Sequence, residues 1–223
     1  TNVQVEEPFW FRDEFSENSA GRWYATGGFT WDTVNGVLKN TTNNTNMWLP
    51  APRFKLSSLS FTISNTVDPG IVGVKWHGNM RLVHSSSAWG PIQAGYAASI
   101  SANVLYVRQF KTDYSGHIPV TQYTFDNAWD TTATYTFTIE RTGDYTYDVY
   151  CDKNSTGAVL LGSFTVTHYW ESGEFAFVSD SAIQSSIDNL QISGTRVYQK
   201  PIHRGAMLET YHDGTQEVVG TTY

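Results

Sequence analysis

The sequence has little cysteine, little charge and no long apolar run. Cys151 is the single cysteine in 223 residues, which excludes an internal disulfide. Charged residues amount to 16%, against roughly 25% in an average domain. No run approaches the about 18 apolar residues of a membrane-spanning helix. Acidic residues exceed basic ones by 21 to 14, giving a net charge of −7, and phosphate contact needs clustered Lys and Arg. We therefore expect neither a membrane span nor a nucleic-acid partner.

Aromatic residues and β-type alternation are abundant instead. Aromatics make up 15% of the chain, which excludes a disordered protein. No segment keeps a helical period over three turns, whereas apolar and polar residues alternate through 59–63, 135–140 and 145–151. Many short strands predict an all-β fold, an antiparallel two-sheet β-sandwich or a closed barrel. Further strands are predicted at 9–15, 71–77, 92–100, 103–110, 119–125, 158–166, 173–178 and 186–193.

The two ends of the chain differ from this body. We predict an N-terminal extension at 1–8, a β-sandwich domain at 9–193 and a C-terminal tail at 194–223. The tail has too few apolar residues for a core of its own. We expect it either to pack on the body or to pair as an added strand with another subunit, giving a homo-oligomer or a larger assembly.

Five short motifs follow one another in a characteristic order, at 11–15, 21–23, 31–38, 173–177 and 186–192. They read Phe-Arg-Asp-Glu-Phe, Gly-Arg-Trp, Trp-Asp-Thr-Val-Asn-Gly-Val-Leu, Gly-Glu-Phe-Ala-Phe and Ser-Ile-Asp-Asn-Leu-Gln-Ile. In this order they resemble the concanavalin A-like, laminin-G-like jelly-roll superfamily. The resemblance implies two antiparallel sheets with a concave face, and it implies no particular activity.

A shorter resemblance concerns the tail. Residues 202–208, Ile-His-Arg-Gly-Ala-Met-Leu, are similar to an entry strand in structural proteins of tailed viruses. This resemblance implies a place in a virion or fibre.

The eight tryptophans are too numerous for one core, so we expect some to be partly exposed and available for stacking on sugar rings. The opposing interpretation is that they fill the core and close the ends of the sheets. Two of them flank a polar stretch that resembles a loop insertion, where binding residues commonly lie. The predicted glycan-binding residues are Trp76, His77, Asn79, Arg81, His84 and Trp89.

The same stretch supports a catalytic alternative, a polysaccharide lyase acting on a uronate-containing glycan. Arg81 would neutralise the carboxylate, His77 or His84 would take the proton, and Tyr96 or Tyr106 would protonate the leaving oxygen. The opposing interpretation is that the histidines are solvated loop residues.

A glycosidase needs two carboxylates held a fixed distance apart. Jelly-roll glucanases carry them as E-[IL]-D-x-x-E. The nearest segment here, 171–174, reads Glu-Ser-Gly-Glu and lacks the aspartate.

A structural calcium ion is implied by the superfamily resemblance, in which the first and last strands often share one. The matching positions are Asp13 and Asp188. The alternative is that Asp188 and Asn189 form a bulge whose side chains bond their own backbone.

Together these features favour a non-enzymatic module at an extracellular or virion surface. It would recognise a glycan, form part of a fibre, pilus or capsid, or do both. The alternative function is the polysaccharide lyase.

Overall fold

A computed structural model of the chain describes residues 2–25, 28–40, 45–49, 54–64, 72–77, 95–110, 117–166, 174–179, 186–201, 205–210 and 216–222. Within these ranges the one helix is a single 3-10 turn at Ala20–Arg22, so none has the length to span a bilayer. The strands, in chain order, are β1 (Asn2–Asp13), β2 (Tyr24–Ala25), β3 (Phe29–Asp32), β4 (Val37–Asn40), β5 (Thr45–Trp48), β6 (Phe54–Ser64), β7 (Val72–His77), β8 (Gly95–Ser101), β9 (Val104–Phe110), β10 (His117–Thr124), β11 (Thr134–Arg141), β12 (Thr146–Lys153), β13 (Val159–Thr165), β14 (Glu174–Ser179), β15 (Ser186–Pro201), β16 (Gly205–Thr210) and β17 (Gln216–Thr222).

These strands form two large antiparallel sheets that pack face to face. The eight-stranded sheet has the order β13-β12-β11-β6-β15-β4-β3, with β1 also paired to β15. The seven-stranded sheet has the order β10-β9-β8-β7-β14-β5-β2, and β16 pairs with β17 in a separate hairpin. The predicted antiparallel β-sandwich is therefore confirmed.

The alternation in the sequence separates the core from the surface. In β11, Tyr135, Phe137 and Ile139 are fully buried, while the intervening threonines face outward. Phe137 lies 4.9 Å from Phe125 and 5.9 Å from Phe61, measured between ring centroids. An aromatic cluster on the inner face of the eight-stranded sheet thus packs against the segment that follows β10.

The buried cysteine also belongs to this packing. Cys151 is in β12, paired with Phe137 of β11, and its side chain is buried. Burial raises the pKa of its thiol to about 12, because the thiolate would be desolvated. The group is a packing residue, since a reactive cysteine needs a low pKa.

Two strands extend beyond their predicted ends. The body was expected to begin at residue 9 and to end at 193, but β1 begins at Asn2 and β15 continues to Pro201. The extra residues pair with each other, from Pro8 with Thr195 to Asn2 with Pro201, so each supplies the backbone partners of the other. Both predicted boundaries therefore fall inside continuous strands.

The two sheets approach each other closely where β10 meets β13. A Cβ atom added at Gly162 would lie 2.6 Å from Cε1 of Tyr123, and Gly162 also has φ +155°. Glycine at this position lets the Tyr123 ring lie directly against the backbone of β13.

Replacing Gly162 by Ala is therefore expected to destabilise the protein by about 1–3 kcal/mol, because the added methyl overpacks the seam. Urea denaturation measures the change. Gly21→Ala is the matched control, since nothing lies within 4 Å of its added Cβ. Equal stability of the two variants would contradict the close packing at this seam.

Candidate functional site

The outer face of the seven-stranded sheet is defined by alternation on β8 and β9. Ile100, Leu105 and Val107 are fully buried and form the inner face. Tyr106 and Arg108 alternate with them and are partly exposed. Residues in register with Tyr106 and Arg108 on the neighbouring strands therefore belong to the outer face.

Two rows of residues cross this face. Each row consists of residues that are paired in register on adjacent strands. The Arg108 row runs from β10 to β2 and consists of Pro119, Arg108, Ala97, Lys75, Ala176, Trp48 and Tyr24. The Tyr106 row beside it consists of Gln122, Tyr106, Ser99, Gly73, Val178 and Asn46.

Tyr106 and Arg108 form the best-defined polar and aromatic pair of this face. The guanidinium carbon of Arg108 lies 5.3 Å from the centroid of the Tyr106 ring, within the range of a cation–π contact. The neighbouring positions on β8 are the small residues Ala97 and Ser99. The Tyr106 ring and the N–H donors of Arg108 therefore lie next to positions occupied by small residues.

The segment that follows β10 makes hydrogen bonds with the β8–β9 turn, at one end of this face. In the turn between β8 and β9, the Asn103 side-chain amide donates to the backbone carbonyls of Asp126 and Asn127, at 2.7 and 3.1 Å. Lys153 lies 2.8 Å from an Asp126 carboxylate oxygen and 2.9 Å from one of Asp130. The Lys153 ammonium lowers the pKa of the Asp126 carboxyl, and the hydrogen bond from the Thr132 hydroxyl, followed by Lys153, lowers the pKa of Asp130 to about 2. The Asn103 amide thus joins the β8–β9 turn to the segment after β10, and the Lys153 ion pairs join that segment to β12.

The predicted glycan-binding residues are only partly within the described chain. Trp76 pairs with Tyr96 and Phe175 and belongs to the inner alternation of β7. His77 pairs with Glu174 and belongs to the outer alternation. The other four, Asn79, Arg81, His84 and Trp89, lie outside the described residues. The predicted set stays a prediction.

The predicted lyase residues do not share one face in the described strands. Tyr96 has the inner alternation of β8, whereas His77 has the outer alternation of β7. Tyr106, the alternative acid, belongs to the outer face, and Arg81 and His84 lie outside the described residues. The backbone therefore places His77 and Tyr106 on the same face, but two strands apart and four residues apart along the strand direction, and it places Tyr96 on the other face.

A paired-carboxylate site also lacks its second member in the described part of the outer face. Glu174 on β14 is the one acidic residue that the described ladders place in the outer alternation of this sheet. Glu171 lies outside the described residues. Acid–base hydrolysis needs two carboxyl groups across the scissile bond.

Both predicted calcium ligands, Asp13 and Asp188, accept hydrogen bonds from the chain itself. Asp13 is buried, and its carboxylate accepts from the Phe15 backbone N–H at 3.0 Å and the Trp23 indole N–H at 2.8 Å. Asp188 accepts from the backbone and side-chain N–H groups of Asn189 at 2.6 and 3.1 Å. No group of three or more His, Cys, Asp or Glu is placed to hold a metal ion in the described ranges. The alternative, side chains bonding their own backbone at Asp188, matches the observed contacts.

Comparison of the whole fold with solved structures finds the same architecture. A Bacillus subtilis protein of unknown function with a galectin-like fold aligns over 83% of this chain and 96% of its own, with a TM-score of 0.57 at 9% identity. Carbohydrate-binding module CBM66 from Bacillus subtilis aligns over 78% and 95%, with a TM-score of 0.52 at 14% identity. Porphyranase B from Zobellia galactanivorans aligns over 85% and 94%, with a TM-score of 0.54 at 7% identity.

The chain has the concanavalin A-like jelly-roll fold. This confirms the jelly-roll fold that the resemblance of the five sequence motifs implied. No protein-family model and no curated protein matches the sequence. At this level of identity the solved structures establish the jelly roll alone, so its function must be argued from the outer face.

Arg108 and Lys75 of the jelly roll belong to no sequence motif that predicts a binding role. Both are polar residues in alternating strands, which is the ordinary pattern of a solvent-facing position. Their common row becomes visible only once β7, β8 and β9 are paired. The signal that sequence offered was the alternation of Leu105-Tyr106-Val107-Arg108, with an aromatic ring and a cation on one face.

Proposed function

We propose that this jelly roll is a non-enzymatic glycan-binding module whose binding surface is the outer face of the seven-stranded sheet. The observation that carries the proposal is the partly exposed Tyr106 ring with the Arg108 guanidinium 5.3 Å from its centroid. An aromatic ring offers a flat apolar surface to the C–H face of a sugar, and a guanidinium offers several N–H donors to its oxygens.

The fold comparison supports this proposal without establishing it. One similar structure is described as a carbohydrate-binding module and another as a porphyranase. The porphyranase-like alternative has less support in this chain, since the described part of the outer face carries a single carboxylate residue. We place the module outside the cell or on a virion surface, where glycans are encountered.

The test is a titration of the protein with a broad panel of oligosaccharides and polysaccharides, followed by intrinsic tryptophan fluorescence and calorimetry. We expect saturable binding to at least one glycan class, with no change in the glycan itself. Flat titrations across the panel would reject the proposal. Release of an unsaturated uronate product, lost in His77→Ala and in Tyr106→Phe, would instead establish the lyase.

We further propose that the two chain ends take part in assembly with other subunits. In the described ladders, residues 197–201 pair only with 2–6, so this part of β1 and β15 forms a two-stranded ribbon beyond β6. The hairpin of β16 and β17 is likewise two-stranded. An isolated two-stranded ribbon is only marginally stable in water, so both segments gain from a further strand or surface.

Deleting residues 205–223 is expected to reduce the number of subunits in the assembly, and so the molecular mass in solution, without changing the unfolding midpoint of the sandwich. The cut leaves the pairing of β1 with β15 intact. Light scattering after size-exclusion chromatography measures the mass. A full-length protein that is already monomeric would refute the assembly role of the hairpin.

A further inference from the structure

The outer faces of the two sheets place their charged residues differently, and Glu174, beside His77, is the one acidic residue in the described outer alternation of the seven-stranded sheet. On the eight-stranded sheet, Asp148 lies directly across from Glu140 in the β11–β12 ladder, and Asp152 follows on the same side of β12. On the seven-stranded sheet, the Arg108 row carries Arg108 and Lys75 and no acidic residue. The chain as a whole has a net charge of −7, so this row is a local reversal of sign.

The two cationic residues of the row are separated by one small residue. Ala97 pairs with Arg108 on one side and with Lys75 on the other, so the cations are two strands apart. Two strand spacings amount to about 10 Å. The residue between them is small, and the next position after Lys75 is again small, Ala176. The row therefore alternates cationic and small residues across four strands, from β9 to β14.

Residues of this kind select for anions. A guanidinium forms two parallel hydrogen bonds with a carboxylate or a sulfate-like group, and an ammonium adds a point charge. A chain of net charge −7 repels a polyanion at long range, so binding one requires cations concentrated at the contact surface. A neutral glycan needs no such concentration.

We propose that the glycan bound by the outer face is anionic, with its carboxylate or sulfate groups recognised by Arg108 and Lys75. This inference rests on the proposed glycan-binding function and specifies its ligand class. Tyr106, in the neighbouring row, supplies the flat surface for the sugar ring, and the Arg108 row supplies the selectivity for charge.

The experiment compares matched polymers that differ only in charge. Polygalacturonate is set against its methyl ester, and a sulfated galactan against the same galactan after desulfation, all in the absence of divalent cations. We expect each acidic form to bind about tenfold or more tightly than its neutral counterpart, or one acidic form to do so, which identifies the anionic group. Affinity for the acidic form should fall as the salt concentration rises.

Variants that remove one positive charge test whether Arg108 and Lys75 cause the preference for acidic polymers. Arg108→Gln and Lys75→Gln are each expected to lower affinity for the acidic polymer about tenfold and affinity for the neutral polymer by less, so that the ratio of acidic to neutral affinity falls. Arg12→Gln is the matched control, because Arg12 is an exposed arginine on the eight-stranded sheet. Thermal melting of each variant verifies that it is folded.

The outcomes separate the two proposals. Equal affinity for acidic and neutral polymers would overturn the anionic ligand and leave the glycan-binding function standing. Charge selectivity that survives both Arg108→Gln and Lys75→Gln would overturn the assignment to this row. Failure of every charged and neutral glycan to bind would reject the proposed function itself.

Discussion

Replacing Asp13 by Ala is expected to destabilise the protein by about 3 kcal/mol or more. The Asp13 carboxylate is buried and is the acceptor for the Trp23 indole N–H and for the Phe15 backbone N–H. Removing the acceptor of a buried donor costs about 1–3 kcal/mol, and here two donors lose it together. Phe15 has φ +51°, a conformation rare for a bulky residue, and its bond to Asp13 helps to fix it.

The measurement is the free energy of unfolding from urea titration of the wild-type protein and the variant. Glu14→Ala is the matched control, because the neighbouring Glu14 side chain is exposed and its loss should change stability by less than about 0.5 kcal/mol. Similar losses in both variants would show that Asp13 does not organise this region.

The contacts around Asp13 explain why two of the five sequence motifs occur together. The Trp23 ring lies edge-on to Phe11, with centroids 5.5 Å apart, and the Arg22 guanidinium lies 4.3 Å from the Phe11 ring centroid. Arg22 also donates to the backbone carbonyl of Arg12 at 2.9 Å. The motifs at 11–15 and 21–23 thus form one structural unit that joins β1 to the 3-10 turn.

Replacing Tyr106 by Ala is expected to weaken glycan binding about tenfold or more without a comparable loss of stability. The ring is partly exposed and lies on the outer face, so its truncation removes contact area for the ligand and little of the core. Calorimetric titration with the tightest-binding glycan of the panel measures the affinity, and thermal melting measures the stability.

Tyr150→Ala provides the matched control for this prediction. Tyr150 is also a partly exposed tyrosine on an outward position, but it lies on β12 of the eight-stranded sheet. Its variant should bind glycan as the wild type does. Loss of affinity in Tyr150→Ala with retention in Tyr106→Ala would move the binding surface to the opposite sheet.

The fold was predictable from sequence because its main signal is local. Alternation through 59–63, 135–140 and 145–151 gave strands that the structure contains as β6, β11 and β12. The ends were not predictable in the same way, since residues 2–8 acquire their partners from 195–201 at the other end of the chain. Pairing at such a separation leaves no local pattern.

The candidate site was less predictable for the same reason. Lys75 and Arg108 are 33 positions apart in the sequence, and only the ladders through β8 bring them into one row. Sequence reasoning therefore placed the site at the polar stretch beginning with Trp76. Residue types can be read from the sequence, but the register of the sheet, which decides which residues lie side by side, cannot.

The binding surface is tested most directly by nuclear magnetic resonance mapping of the isotope-labelled protein during titration with its tightest-binding glycan. We expect chemical-shift changes concentrated on the outer residues of β8, β9 and β10, including Tyr106, Arg108 and Gln122. Changes confined to β6, β11 and β12, with the seven-stranded sheet unaffected, would contradict a glycan-binding surface on the seven-stranded sheet.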